Sequence, residues 1–345
     1  RGLGDVYKRQ MKGKINLFLC LWAVFLLAAA VTTGCKNTSG YHTKVGMVWN
    51  TTYHITYNGP EELDDSITAT LNAVGACLNV FDSTSNLSRL NRGETKQADA
   101  MLVKVLTMAR NIYNATDGAF DPTLGSVIRA WGFGKGHEAT ADTARLDSMR
   151  QFVGFDKWVL SGSTVKRAHS GVEMNLSGIA KGHGCDAVAE MLRRNGVSDF
   201  MVEIGGEIRM GGANPDGGKW TIAIDKPVVS DSVIHDYLTT ISLTDCGLAT
   251  SGNYRNFHTD ADGNRFGHTL DPKTLRPAKT DVLSATVVAG SSMEADGYAT
   301  AFVVLGSKRA LQVAEKQKLA VLLVTAKGVE ISSSMSKYLD QAVQQ

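Results

Sequence analysis

The chain has 345 residues, 43% of them hydrophobic and 20% charged, with a formal net charge of +2. Those proportions are those of a globular protein, and so small a charge gives no electrostatic case for a nucleic-acid partner. Five cysteines at no metal-ligand spacing argue against a zinc site, and an odd number after the leader argues against a disulfide framework.

Residues 1–10 precede Met11 and are expected to be an artefactual extension with no part in export. Residues 11–34 read as a signal peptide. Lys12 and Lys14 give a basic start, an apolar run extends from Ile15 to Val31, and Thr32-Thr33-Gly34 leads to Cys35. A transmembrane anchor is the alternative, for which the run is short of the usual span of about 20 residues. Cys35 after a small residue resembles the bacterial lipobox, with Thr32 where Leu is usual. The expectation is an exported lipoprotein, lipidated at Cys35 and anchored to a membrane of the cell envelope, facing the periplasm. Polar residues make 35–44 a tether, and 45–345 reads as one continuous domain. Cys77, Cys185 and Cys246 are expected to be buried thiols.

Residues 52–57 alternate as a strand. Pro60 then opens a helix with Leu63, Ile67, Leu71, Val74 and Leu78 at i+3/i+4 spacing. Further helices are predicted over 98–114 and 183–195, the latter stopped by Gly196. Strands are predicted at 198–204, 219–225, 237–243, 265–270, 283–289, 319–325 and 328–332. Ser291-Ser292-Met293-Glu294 is a capping-box start for a helix running to about Leu305, with Gly306 as its end. Successive strands joined by short turns favour an α+β fold over a doubly wound one: a single large domain of mixed, largely antiparallel sheet with packed helices.

Four clusters carry candidate chemistry. In TDGAFDPTLGSVIRAWGFG (116–134), Gly, Asp and Pro force a loop whose Phe120, Trp131 and Phe133 either sandwich a planar ligand or fill core. MNLSGIAKGHG (174–184) is a strand-turn-helix junction: either a plain connection, or a phosphate cradle with Lys181 and a helix N-terminus supplying positive potential. The Ile204-Gly205-Gly206-Glu207 turn is a hairpin by default and a backbone cradle at best. The third cluster is ATSGNYRNF followed by GHTLDPKT (249–274), where strand phase puts Phe266, His268 and Leu270 on one face. His268 is then a core histidine or the best proton-handling group in the chain. In SSMEADGYATAF (291–302), Asp296 and Thr300 lie four apart on one helix, either solvated or offering hard oxygens to Mg²⁺.

Taken in order, FDSTSNLSRLN (81–91), GAFDPTLG (118–125), WGFG (131–134), LSGIAKG (176–182), IGGEI (204–208), ATSGNY (249–254), HTLDPKT (268–274) and MEADGYATAF (293–302) resemble the ApbE-type FAD:protein FMN transferases. The resemblance runs from Trp49 to Gly306. It implies an α+β domain that binds FAD as substrate with Mg²⁺ at the pyrophosphate, expels AMP and leaves FMN esterified to a Thr or Ser of an exported redox protein. Carried over by position, the metal is held by the Gly178 carbonyl and the Asp296 and Thr300 side chains. FAD contacts fall to Trp49, Phe81, Ala119, Phe120, Asp121, Asn175, Lys181 and His268. Trp49 stands where Met is usual, Phe81 where Tyr is, and Asn175 where Asp is. His268 is the candidate proton acceptor for the attacking hydroxyl, with Asp296 the second choice. Two other readings share this site: a metal-dependent FAD pyrophosphatase giving FMN and AMP, and a non-enzymatic FAD-binding lipoprotein.

Overall fold

The computed structural model describes residues 40–133, 143–226, 237–252, 257–259 and 265–339. The signal peptide, Cys35 and residues 36–39 of the expected tether lie outside these, as do Gly134 of WGFG and Asn253 and Tyr254 of ATSGNY. Strand β1 (Gly40–Val48) leads into β2 (Thr51–Gly59) through Trp49 and Asn50. Both turn residues take left-handed backbone, φ 48° and 64°, as a two-residue type I′ hairpin requires. Residues 40–44, expected in the tether, therefore belong to the sheet.

After Pro60 a single 3₁₀ turn (Glu61–Leu63) enters α1 (Asp64–Leu78), whose Ile67, Leu71, Val74 and Leu78 are buried at the predicted spacing. There follow α2 (Asn86–Arg92), α3 (Ala100–Ala115), α4 (Gly125–Ala130), α5 (Thr143–Met149) and the hairpin β3 (Trp158–Ser161) with β4 (Thr164–Arg167). Helix α6 (Ser177–Arg194) starts at Ser177 rather than at 183. Gly178, Gly182 and Gly184 weaken the helical signal of its first turns, and tertiary packing overrides it. The remaining strands are β5 (Phe200–Ile204), β6 (Glu207–Gly211), β7 (Trp220–Asp225), β8 (Tyr237–Leu243), β9 (Gly247–Gly252), β10 (Phe257–Thr259), β11 (Arg265–Gly267), β12 (Leu270–Asp271), β13 (Arg276–Pro277), β14 (Val282–Ala289), β15 (Ala320–Thr325) and β16 (Gly328–Ile331). Helices α7 (Ser292–Leu305) and α8 (Ser307–Gln317) connect β14 to β15. Ser291 Oγ accepts from the Glu294 N–H at 3.1 Å, the predicted N-cap, and Gly306 ends α7 with φ 76°.

One eight-stranded sheet runs in the order β1-β2-β5-β6-β9-β14-β15-β16. From β2 to β16 each neighbouring pair is antiparallel, so the α+β expectation holds. The period-two rule assigns the two faces of its centre. Ala285, Val287, Ala289, Val321 and Leu323 join the core formed with α1, α3, α6 and α7. Val288, Ala320, Leu322 and Val324 face the β7–β8 hairpin with Trp220, Ile222, Ile224, Ile241 and Leu243. Helix α7 packs between α6, β9 and β14 and is buried on almost every side, which explains why no amphipathic stripe marks it.

Candidate active site

Helices α6 and α7 approach closely because α6 carries glycine where they touch. A Cβ on Gly182 would stand 2.3 Å from the Ser292 carbonyl oxygen. Asp186, one turn further along α6, accepts from both the Ser292 and the Met293 N–H at 2.9 Å. It thereby caps the start of α7 from the neighbouring helix and fixes the register of the pair. That register sets Gly178, Lys181 and Gly182 of α6 opposite Asp296 and Thr300 of α7. The Gly182 N–H donates to Asp296 Oδ2 at 3.0 Å, and Thr300 Oγ1 lies 3.4 Å from both the Gly178 carbonyl and Ser251 Oγ on β9.

Asp296 is 1% exposed, so it is no solvated first-turn aspartate. The Lys181 ammonium stands 2.9 Å from Glu207 Oε1 and 4.0 Å from Asp296 Oδ1. Burial works against the Lys181 charge, but the Asp296 and Glu207 carboxylates outweigh it and hold its pKa above the ordinary lysine value. Burial raises both carboxyls above their usual range, and Lys181 pulls against that rise. Glu207 Oε2 finds no hydrogen-bond partner among the described residues.

The two loops predicted as ligand-binding lie side by side. The Asn175 N–H donates to the Pro122 carbonyl at 2.7 Å, the Gly125 N–H to Glu173 O at 3.0 Å, and Arg129 grips Glu173 bidentately. Asn91 on α2 anchors the same strip, exchanging hydrogen bonds of 2.8 and 2.9 Å with the Met174 backbone. Phe120 is buried, and its ring edge would lie 3.3 Å from a Cβ on Gly178. Asp121 Oδ1 is taken up locally by the Thr123 N–H and hydroxyl, at 2.8 and 2.6 Å. Burial raises the Asp121 pKa against those two bonds. Asn175 Oδ1 accepts from the Ser177 N–H at 2.9 Å, so its acceptor serves the first turn of α6. Ala119 is buried beside these residues in sequence.

Other predicted site residues stand differently. The Trp49 indole is lodged between helices: Cβ atoms on Gly75 of α1 and Gly184 of α6 would meet its ring at 2.8 and 2.6 Å. Phe81 is 61% exposed, so its ring is presented to solvent. The expected strand 265–270 breaks. β11 ends at Gly267, His268 is exposed in a bend, and buried Leu270 begins β12. His268 is therefore not a core histidine. The HTLDPKT segment and the residue after it are tied to the first cluster: Lys273 lies 2.9 Å from Asp117, and Trp131 Nε1 donates to the Leu275 carbonyl at 2.8 Å. Sequence reasoning missed Glu207, Asp186 and Ser251. The available signal for Glu207 was its strand phase, since it pairs with Ile204 across the Gly205–Gly206 turn and so shares a buried face.

Among the described residues no three His, Cys, Asp or Glu side chains converge as a metal cluster. The donors present are instead one carboxylate, one hydroxyl and one carbonyl, all hard oxygens. That set suits Mg²⁺ with ligand phosphates and water completing its shell.

Comparison with known proteins finds relatives over most of the chain. Residues 49–323 match the model of the ApbE family. An FAD:protein FMN transferase of Haemophilus influenzae is 38% identical over 331 residues, covering 91% of this chain and 93% of the relative. One from Vibrio cholerae is 35% identical over 316 residues, covering 88% and 93%. The solved flavin transferase ApbE from Vibrio cholerae superposes with a TM-score of 0.78 at 34% identity, covering 87% of this chain and 99% of that one. With the family model spanning most of the chain and the sheet, paired helices and loops in one arrangement, this chain belongs to the ApbE family.

Proposed function

We propose that this chain transfers FMN from FAD to a Thr or Ser hydroxyl of another protein and releases AMP. The observation that carries the reading is the meeting of the Gly178 carbonyl, Thr300 hydroxyl and Asp296 carboxylate beside Lys181, in a family whose relatives include FAD:protein FMN transferases. Gly178, Asp296 and Thr300 would hold Mg²⁺, which when bound neutralises charge on a pyrophosphate. Lys181 and the N-terminus of α6 add positive potential there. Trp49, Phe81, Ala119, Phe120, Asp121, Asn175 and His268 are the proposed FAD contacts, joined by Lys181.

In balanced form, the acceptor oxygen bonds to the phosphorus on the FMN side. The bond from that phosphorus to the bridging oxygen breaks, and this oxygen leaves with AMP. The hydroxyl proton passes to His268, whose exposed position lets it shed the proton to solvent. No covalent protein intermediate is needed, because phosphoryl transfer depends on positioning and charge neutralisation. Lipidation at Cys35 would hold the enzyme at a membrane where it meets an exported redox protein.

The test is to incubate the chain with FAD, Mg²⁺ and a candidate exported acceptor, then measure acceptor mass and free FMN. An FMN adduct supports the reading, and Asp296→Asn should slow its formation by roughly a hundredfold. Free FMN with unmodified acceptor would mean a pyrophosphatase, and intact FAD a binding protein.

A further inference from the structure

We propose that Glu207 is a positioning residue that holds the Lys181 ammonium off Asp296, keeping that carboxylate open to a divalent cation. The inference rests on the reading of Asp296 as a cation ligand. Two buried carboxylates compete for one ammonium here. It sits at contact distance from Glu207, 2.9 Å, and outside contact with Asp296, 4.0 Å. A charged N–H···O pair closes to about 2.7–2.9 Å when unopposed. Asp296 Oδ2 is occupied by the Gly182 N–H, which leaves Oδ1 as the oxygen that Lys181 would otherwise cover.

Glu207 is built to hold its place. Its carbonyl accepts from Cys185 Sγ at 3.1 Å, pinning β6 to the helix that carries Lys181. Gly205 has φ 62°, backbone that a side-chain-bearing residue rarely adopts, so glycine there keeps the tight turn that sets Glu207 opposite Ile204. Glu207 is 3% and Asp296 1% exposed, so solvent screens the contest between them only weakly. With Glu207 neutralised, the ammonium closes on Asp296 Oδ1 and competes with the cation for it.

A double-mutant cycle on the full chain tests this, with Mn²⁺ as the probe, its binding read by electron paramagnetic resonance without FAD. Glu207→Gln should weaken Mn²⁺ binding about tenfold, within the range of couplings in one ion-pair network. In a Lys181→Met background the same substitution should change it less than about twofold, because no ammonium remains to close on Asp296. Equal weakening in both backgrounds means Glu207 acts on the cation directly, and no weakening in either means it does nothing; both overturn the proposal. If the unaltered chain binds no Mn²⁺, or Asp296→Asn binds it as well, the underlying reading of Asp296 fails instead. Should Glu207→Gln not fold, Glu207→Asp, which withdraws the carboxylate from Lys181, should give a smaller loss with the same dependence on Lys181. A crystal structure of either variant should show the Lys181–Asp296 separation reduced to contact; a separation kept at 4 Å overturns the proposal.

Discussion

His183 is 3% exposed on α6, and neither ring nitrogen has a hydrogen-bond partner among the described residues. Burial pushes its pKa down from 6.5 to about 4, with Lys104 adding to the fall and Glu190 and Asp99 opposing it. The folded-state value is depressed, so the unfolded chain binds the proton more readily between the two values. The stability contribution is complete above about pH 6.5 and is lost as pH falls towards 4. Its size is on the order of 3 kcal/mol. His183→Leu should therefore leave the unfolding midpoint at pH 7 unchanged or raised, since it removes two unsatisfied polar atoms. It should also flatten the decline between pH 6.5 and 4, as read by thermal melts across that range. An unchanged slope would show that the carboxylates alone set acid sensitivity. This environment was not legible in the sequence: a histidine between two glycines has no periodicity that announces a buried face.

At the scale of elements, strands and amphipathic helices were readable where one face is wet. The i+3/i+4 pattern of α1 and the cap of α7 were found where expected. The early start of α6 was not, because its glycines serve close packing rather than local propensity. Two of them separate kinds of obstacle. A Cβ on Gly182 would meet the Ser292 backbone at 2.3 Å, and backbone of a buried helix has nowhere to go. A Cβ on Gly184 would meet the far edge of the Trp49 indole at 2.6 Å, a side chain rather than backbone, although Gly75 of α1 lies against the same ring. Gly182→Ala should cost about 1–3 kcal/mol, and should weaken cation binding too, by spreading Gly178 from Thr300. Gly184→Ala should cost less and leave cation binding alone. Denaturant unfolding beside Mn²⁺ titration checks both; equal losses would mean that α6 and α7 are not a rigid pair.

Across the whole molecule, the candidate site draws on loops at 118–124 and 173–176, the α6–α7 pair, the Gly205–Gly206 turn and the C-terminal end of β9. The order of those blocks along the chain was legible, and the family resemblance implied that Gly178 lies with Asp296 and Thr300; Thr300 does reach the Gly178 carbonyl, and Asp296 the same helix at Gly182. Composition and periodicity alone did not give that meeting, because it depends on long-range packing that no local window contains. Oxygen donors from α6 and α7 and a cradle between two loops are useful only together, so ligands should report on the assembly as a unit. FAD and Mg²⁺ bound to the folded chain alone raise its stability by mass action, about 2.7 kcal/mol at a hundredfold excess over Kd. If the cation bridges Asp296, Thr300 and a pyrophosphate, FAD tightens Mg²⁺ and Mg²⁺ tightens FAD by the same factor. The shift in unfolding midpoint with both present should then exceed the sum of the two separate shifts. Thr300→Val should leave the FAD shift in place while removing most of this excess, since the variant keeps the shape of α7 and loses only the hydroxyl. Differential scanning calorimetry of four ligand conditions in both proteins decides it. Strictly additive shifts in the unaltered chain would place the cation and the flavin nucleotide at sites that do not touch.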